Sequence, residues 1–165
     1  MRTRIASQVK VADEVWIACA LLHREHPASP DFTIDEIVER ARKEKLHEPF
    51  RPGVYVHVVL HCVANRPPNP GRYRMLLETK EGRRRLFCSV DAYHPGREGA
   101  KTMPGPEDLP PEYGDLLKWY REWSAQAARN LVETDPLLNL KGSGAHLWED
   151  ETPDEYVERL REGWE

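Results

Sequence analysis

TIDEIVERARKEKLHEPFRPGVYVHVVLHCVAN, Thr33 to Asn65, is the stretch whose reading decides the fold. Thr33 followed by Glu36 is a capping box, in which each side chain can satisfy an orphan backbone N–H of the other. Ile34, Ile37, Val38 and Ala41 follow at helical spacing among charges, so a helix starts here. His47-Glu48-Pro49 breaks it, and Pro52 suits the first position of the next helix. On a helical wheel Val56, Val59, Leu60 and Val63 form one apolar face. Arg51, Val54, His57, Val58, His61 and Asn65 lie opposite, with Tyr55 beside them. Two helices whose second offers Arg, His and Asn outward have what a major-groove reader needs. The same pattern also fits an ordinary helical hairpin with a mixed outer face.

Upstream, residues 9–26 read as a helix with Ala12, Val15, Trp16, Cys19 and Leu22 on one face. His26-Pro27 stops it, and Pro27-Ala28-Ser29-Pro30 is a loop. Downstream, Arg66-Pro67-Pro68-Asn69-Pro70-Gly71 forbids regular structure. Residues 73–79 and 84–90 then flank Lys80-Glu81-Gly82-Arg83, a Gly-containing turn, and read as a β-hairpin. Three helices followed by a hairpin is the winged helix-turn-helix order, an α+β fold. Lys80, Arg83, Arg84 and Arg85 are expected at or just beyond the hairpin tip, where a wing touches phosphate or a minor groove. An edge hairpin kept soluble by charge is the alternative.

Residues 91–112, rich in Pro and Gly, are expected to run extended over the body, with Arg97 and Lys101 adding positive charge near the wing. Tyr113 to about Val132 reads as a fourth helix with Leu116, Leu117, Tyr120, Trp123, Ala127 and Leu131 as its apolar stripe. Core packing is the expectation for it, and pairing with its copy in a dimer the alternative. The expected organisation is therefore a winged helix DNA-binding domain over 1–105, an extended segment with a packing or dimer helix over 106–134, and a flexible tail with a short helix over 135–165.

The 165 residues carry a net charge of −4, divided unevenly. Residues 1–105 hold 18 Lys+Arg against 13 Asp+Glu, and residues 106–165 hold 6 against 15. A mildly basic body suits nucleic acid and an acidic end suits a basic protein surface. No apolar run of membrane-spanning length exists. MRTRIASQVK lacks the apolar core of a signal peptide, which predicts a cytoplasmic protein. Cys19, Cys62 and Cys88, odd in number and set in apolar surroundings, read as buried small hydrophobes.

After Asp135-Pro136 comes LLNLKGSGAHLWEDETPDEYVERLREGWE. Lys141-Gly142-Ser143-Gly144 is a flexible joint. Thr152 is expected to cap a last helix, with Pro153 at its first position and Glu155 at its third. Tyr156, Val157, Leu160 and Trp164 mark its apolar side. So short a helix is marginal alone in water, so the segment is expected to fold against a partner or back onto its own chain.

This tail resembles the C-terminal toxin-binding segments of bacterial type II antitoxins, especially VapB-like and Phd-like ones. The matching elements are Gly142-Ser143-Gly144, Leu147-Trp148, Glu149-Asp150-Glu151, Tyr156-Val157 and Leu160-Arg161-Glu162-Gly163-Trp164. The resemblance implies a PIN-domain-like ribonuclease toxin as partner and Leu147, Trp148, Tyr156, Val157, Leu160, Arg161 and Trp164 as toxin-binding residues. Arg161, or else Arg159, would reach the toxin's metal-binding carboxylates. The body departs from the DNA-binding folds usual for such antitoxins. Residues 72–120, with Tyr93-His94-Pro95-Gly96-Arg97-Glu98-Gly99, are similar instead to an uncharacterised group of bacterial winged-helix domains.

Enzyme signatures are missing from the sequence. His57 and His61 are four apart on a helix, a spacing that can clamp zinc, but no His-Glu-x-x-His pattern or obvious third ligand accompanies them. Base or phosphate contact, or plain exposure, is the expectation for both, and no cofactor is assigned. No Gly-rich phosphate loop, nucleophile elbow or Cys–His pattern occurs. The expected function is a non-enzymatic, antitoxin-type DNA-binding protein, a possible homodimer, that represses its own operon and caps a toxin. A winged-helix regulator or protein-interaction adaptor without a toxin is the alternative.

Overall fold

A computed structural model describes residues 9–134, 137, 140 and 152–162. It is an α+β chain of five helices and a three-stranded antiparallel sheet among the described residues. The chain divides into two compact units, Met1–Ala125 and Gln126–Glu165.

The first unit is built around helix α1 (Val11–Glu25), which is buried on every side from Ala12 to Leu22. The expected face of Ala12, Val15, Trp16, Cys19 and Leu22 is buried, and so are Ile17, Ala18 and Ala20 on the other sides. That all-round apolar composition makes it the central helix. Its buried acids are neutralised: Glu14 takes Arg51 Nη2 at 2.5 Å, and Asp13 takes Lys101 Nζ at 2.8 Å. Burial nevertheless holds the Asp13 carboxyl above the ordinary carboxylate pKa.

Helix α2 (Ile34–Glu44) starts where the sequence places it. Thr33 N–H donates to Glu36 Oε2 at 2.7 Å, and Glu36 N–H to Thr33 Oγ1 at 3.1 Å. It ends at Glu44, before the expected break, because Lys45 turns left-handed with φ 51°. Helix α3 (Gly53–Val56) follows and passes directly into a π-helical turn, His57–His61, closed by Cys62 N–H to the His57 carbonyl at 3.0 Å.

The hairpin forms from β2 (Leu76–Lys80) and β3 (Arg83–Leu86), shorter than expected at both outer ends. Gly82, at φ 72°, supplies the left-handed turn residue. A third strand, β1 (Phe32–Thr33), pairs Phe32 with Arg84 and Thr33 with Arg83. Sequence reading gave Thr33 to the helix cap and missed this strand, whose two residues are too few to show a period. The sheet order is β1-β3-β2, so the arginine-bearing β3 is its central strand.

Helix α4 (Asp115–Thr134) packs its first turns into the core through Leu116, Leu117 and Tyr120, while Leu131 is exposed. Tyr120 Oη donates to the Phe87 carbonyl at 2.5 Å, tying α4 to the strand end. In the second unit, helix α5 (Pro153–Glu162) begins on the expected cap, with Thr152 N–H to Glu155 Oε2 at 2.7 Å and Glu155 N–H to Thr152 Oγ1 at 3.3 Å. No helix among the described residues is long and apolar enough to cross a membrane.

Candidate functional site

The surface expected to meet DNA comprises α3, its π turn and the hairpin. Its outward face differs from the wheel. Val54, Val58 and Cys62 point inward and are fully buried, whereas Val56 is exposed. The expectation that Val54 and Val58 face outward is therefore corrected. The segment is apolar on both sides, so a wheel alone could not choose between the faces. A π turn carries one extra residue, so positions four apart stay nearly in line and Val54, Val58 and Cys62 form the seam.

The arginines are corrected too. Arg84 is only 1% exposed. Its guanidinium donates to the Val58 and Val59 carbonyls at 3.2 and 3.3 Å, and to Glu78 Oε1 at 3.1 Å. Arg85 grips Asp91 with two bonds of 2.8 and 2.5 Å. Arg83 donates to Asp31 Oδ1 at 2.5 Å and to the Asp31 carbonyl at 3.1 Å. The place of these arginines along the hairpin is the expected one, Arg83 pairing with Lys80 across the turn. But β1 pairs with β3, so the strand that carries them is the central one of the sheet and acids of the same chain meet them. Strand alternation then turns Arg84 and Leu86 inward.

The matching carboxylates hold the charge. Partial burial pushes the Asp31 carboxyl up, but bonds from Thr79 and Arg83 outweigh it and keep its pKa below the ordinary value. The Arg66 guanidinium beside Glu78, with Arg84 behind it, lowers that carboxyl as well. Asn65, expected to read a base, uses its amide on β2: Nδ2–H donates to the Glu78 carbonyl and Oδ1 accepts the Glu78 N–H, each at 3.0 Å. Arg51 is turned onto α1 by Glu14 and by the Val9 carbonyl at 2.8 Å.

Arg97 and Lys101 do not add charge near the hairpin surface. Arg97 is fully buried and spends all five of its N–H donors on backbone carbonyls. Nε donates to Arg66, Nη1 to His61 and Tyr73, each at 2.7 Å, and Nη2 to Leu60 at 2.9 Å and Pro67 at 3.3 Å. With Arg84 on Val58 and Val59, two arginines reach the last four carbonyls of the α3 segment, the end at which a helix runs short of donors. The Leu60 carbonyl also accepts the Val63 N–H at 3.2 Å. Lys101 bridges Asp13 and Asp108, and with Lys10 it draws the Asp108 pKa down to about 2. The Tyr93–Gly99 element is thus a clamp: His94 Nδ1 accepts the Gly96 N–H at 3.0 Å, and Arg74 lies over the Tyr93 ring at 4.1 Å.

Tyr55, 52% exposed, and Lys80 stay on the outside. His57 and His61 are half-buried, with ring centroids 4.8 Å apart. Burial, then the neighbouring His61 and Arg51, hold the His57 pKa below its ordinary value. Sequence reading missed Asp31, Glu78 and Asp91 as partners. The signal available was the match in number between the arginine run and nearby acids, without a register to join them.

Of the expected toxin-binding residues, Val157 and Leu160 are 43% and 46% exposed on α5, and Arg161 is exposed. Tyr156 lies in the same helix. Leu147, Trp148 and Trp164 lie outside the described residues, as does the Lys141–Gly144 joint. Among the described residues no group of three or more His, Cys, Asp or Glu side chains gathers to hold a metal. The three cysteines are free and buried. The chain matches no family model, no curated protein and no solved structure.

Proposed function

We propose that this protein is a winged-helix-like regulator that acts chiefly through protein contacts, its body a scaffold and its C-terminal segment the partner-binding element. One observation carries this reading. Of eleven side chains expected on DNA, Arg51, Asn65, Arg83, Arg84 and Arg85 are bonded to their own chain, and Val54 and Val58 are in the core. Only Tyr55, His57, His61 and Lys80 remain available to a ligand. Counted over residues 9–125, 18 Lys+Arg meet 18 Asp+Glu, so the described body offers no net positive field to a polyanion.

The winged-helix assignment is supported by element order: helix, strand, two helices, then a hairpin whose second strand lies between the other two. The protein-contact assignment is supported by α5. It carries its own capping box and turns Val157 and Leu160 towards solvent on an acidic helix, the form of an amphipathic segment that docks in a groove. In its antitoxin form the partner is a PIN-domain-like ribonuclease, with Arg161 directed at its carboxylates. Control of its own operon would rest on the four remaining side chains.

Capture from the native host with the full-length protein, beside a Val157→Asp/Leu160→Asp double variant, tests the reading. A small ribonuclease or another basic protein is expected with the native chain and absent with the variant. Identical recovery with both would remove α5 as the partner element. Binding to duplex DNA is expected to be weak. Its salt dependence should correspond to one or two phosphates, so a slope near that of six or more would restore the DNA reading.

A further inference from the structure

We propose that His57 and His61 form an open two-imidazole site for a divalent transition-metal ion, Zn²⁺ foremost. The site stands apart from the protein-contact reading above. His57 Nδ1 lies 2.8 Å from the Gly53 carbonyl. A carbonyl only accepts, so Nδ1 carries the proton and Nε2 keeps a free lone pair. Holding the far nitrogen on a backbone carbonyl is how metal-binding histidines are oriented.

No hydrogen bond uses Nε2 of either ring, and neither Nε2 is among the buried unpaired atoms, so both reach solvent. His61 Nδ1 is buried without a partner, so ligation through Nε2 costs that ring no existing bond. With metal–nitrogen bonds of about 2.0–2.1 Å, an ion sits about 3.2 Å from each ring centre. The 4.8 Å centroid separation is within the roughly 6.4 Å that two such rings can span across one ion.

The frame is rigid on this side. Both rings sit on the π turn, a feature that recurs at functional sites. The His61 carbonyl is pinned by Arg97, and Gly71 backs onto the ring so closely that a Cβ there would lie 2.7 Å from His61 Cβ. Arg51, the nearest cation acting on His57, is paired with Glu14 at 2.5 Å. Imidazole donors suit Zn²⁺, Cu²⁺ and Ni²⁺ over Mg²⁺ or Ca²⁺. Since no third His, Cys, Asp or Glu joins them among the described residues, water completes the shell.

The test is calorimetric titration of chelator-stripped full-length protein with ZnCl₂, repeated with His61→Gln, His57→Gln and a His47→Gln control. His61 makes no side-chain hydrogen bond, so its variant is expected to keep the native circular dichroism. One Zn²⁺ per chain is expected, weakened at least tenfold in His61→Gln and His57→Gln and unchanged in His47→Gln. Cu²⁺ paramagnetic resonance should show two nitrogen ligands in the native chain and at most one in either site variant. Equal affinity in native and His61→Gln protein, or no Zn²⁺ binding up to about 1 mM, overturns the site.

Discussion

Arg97 is a buried cation whose charge is met by five carbonyl dipoles and no carboxylate. Lysine in its place keeps the charge but offers three donors instead of a planar fork of five. At least two of these part-buried carbonyls lose a donor, so Arg97→Lys should cost about 2 kcal/mol in urea unfolding. An unfolding midpoint unchanged from the native protein would contradict the clamp. His23 makes a second prediction. Burial, with Arg85 nearby, lowers its pKa to about 4, and its Nε2 accepts the Leu86 N–H at 3.3 Å. The unfolded chain titrates this ring near 6.5, so between about 6.5 and 4 the unfolded state binds the extra proton. Stability should therefore fall by about 3 kcal/mol as pH drops through that window, and level off below it for this group. Lowered carboxylates such as Asp108 act at lower pH, as they protonate below about 4. His23→Gln, which keeps an acceptor for Leu86, should reduce the pH 4–6.5 slope and leave the part set by the lowered His57 and the raised Asp13.

At the scale of elements, α2 and α5 begin with the same device, Thr at the cap and Glu three residues on. Thr33→Ala should cost the body about 1 kcal/mol, whereas Thr152→Ala should leave its melting unchanged and lower only the helicity of α5. A common shift in both variants would mean that α5 contributes to the stability of the body. The turn at 57–61 is held from behind by Arg84 and Arg97 and in front by Gly71. Gly71→Ala would force His61 or the backbone to move and should cost about 1–3 kcal/mol, measured by the same unfolding assay.

Across the whole molecule, charge does structural work before it does recognition. Arg51, Arg66, Arg83, Arg84, Arg85 and Lys101 each close an ion pair within the first unit. Raising salt from about 50 to 200 mM should thus change duplex DNA affinity little, although a basic-domain estimate from residues 1–105 would anticipate a steep loss. Gel-shift titrations across that range decide it.

The sequence by itself determined what local physics controls. Both capping boxes, the central position of Gly82 in the hairpin turn, the apolar seam of α1 and the buried cysteines follow from spacing and side-chain chemistry within a few residues. The Arg66–Gly71 break was equally legible, since three prolines in six residues leave few donors and fixed φ values. Only the tertiary structure decided which side of α3 faces the core, because both sides are apolar and a π turn shifts the phase. It alone decided the fate of the arginines, because β1 is two residues long and its pairing with β3 joins positions some fifty residues apart. Arg83 to Arg85 look like a wing tip in one dimension. Opposite Asp31, Glu78 and Asp91 they are the bonds that hold the sheet and the helix end together.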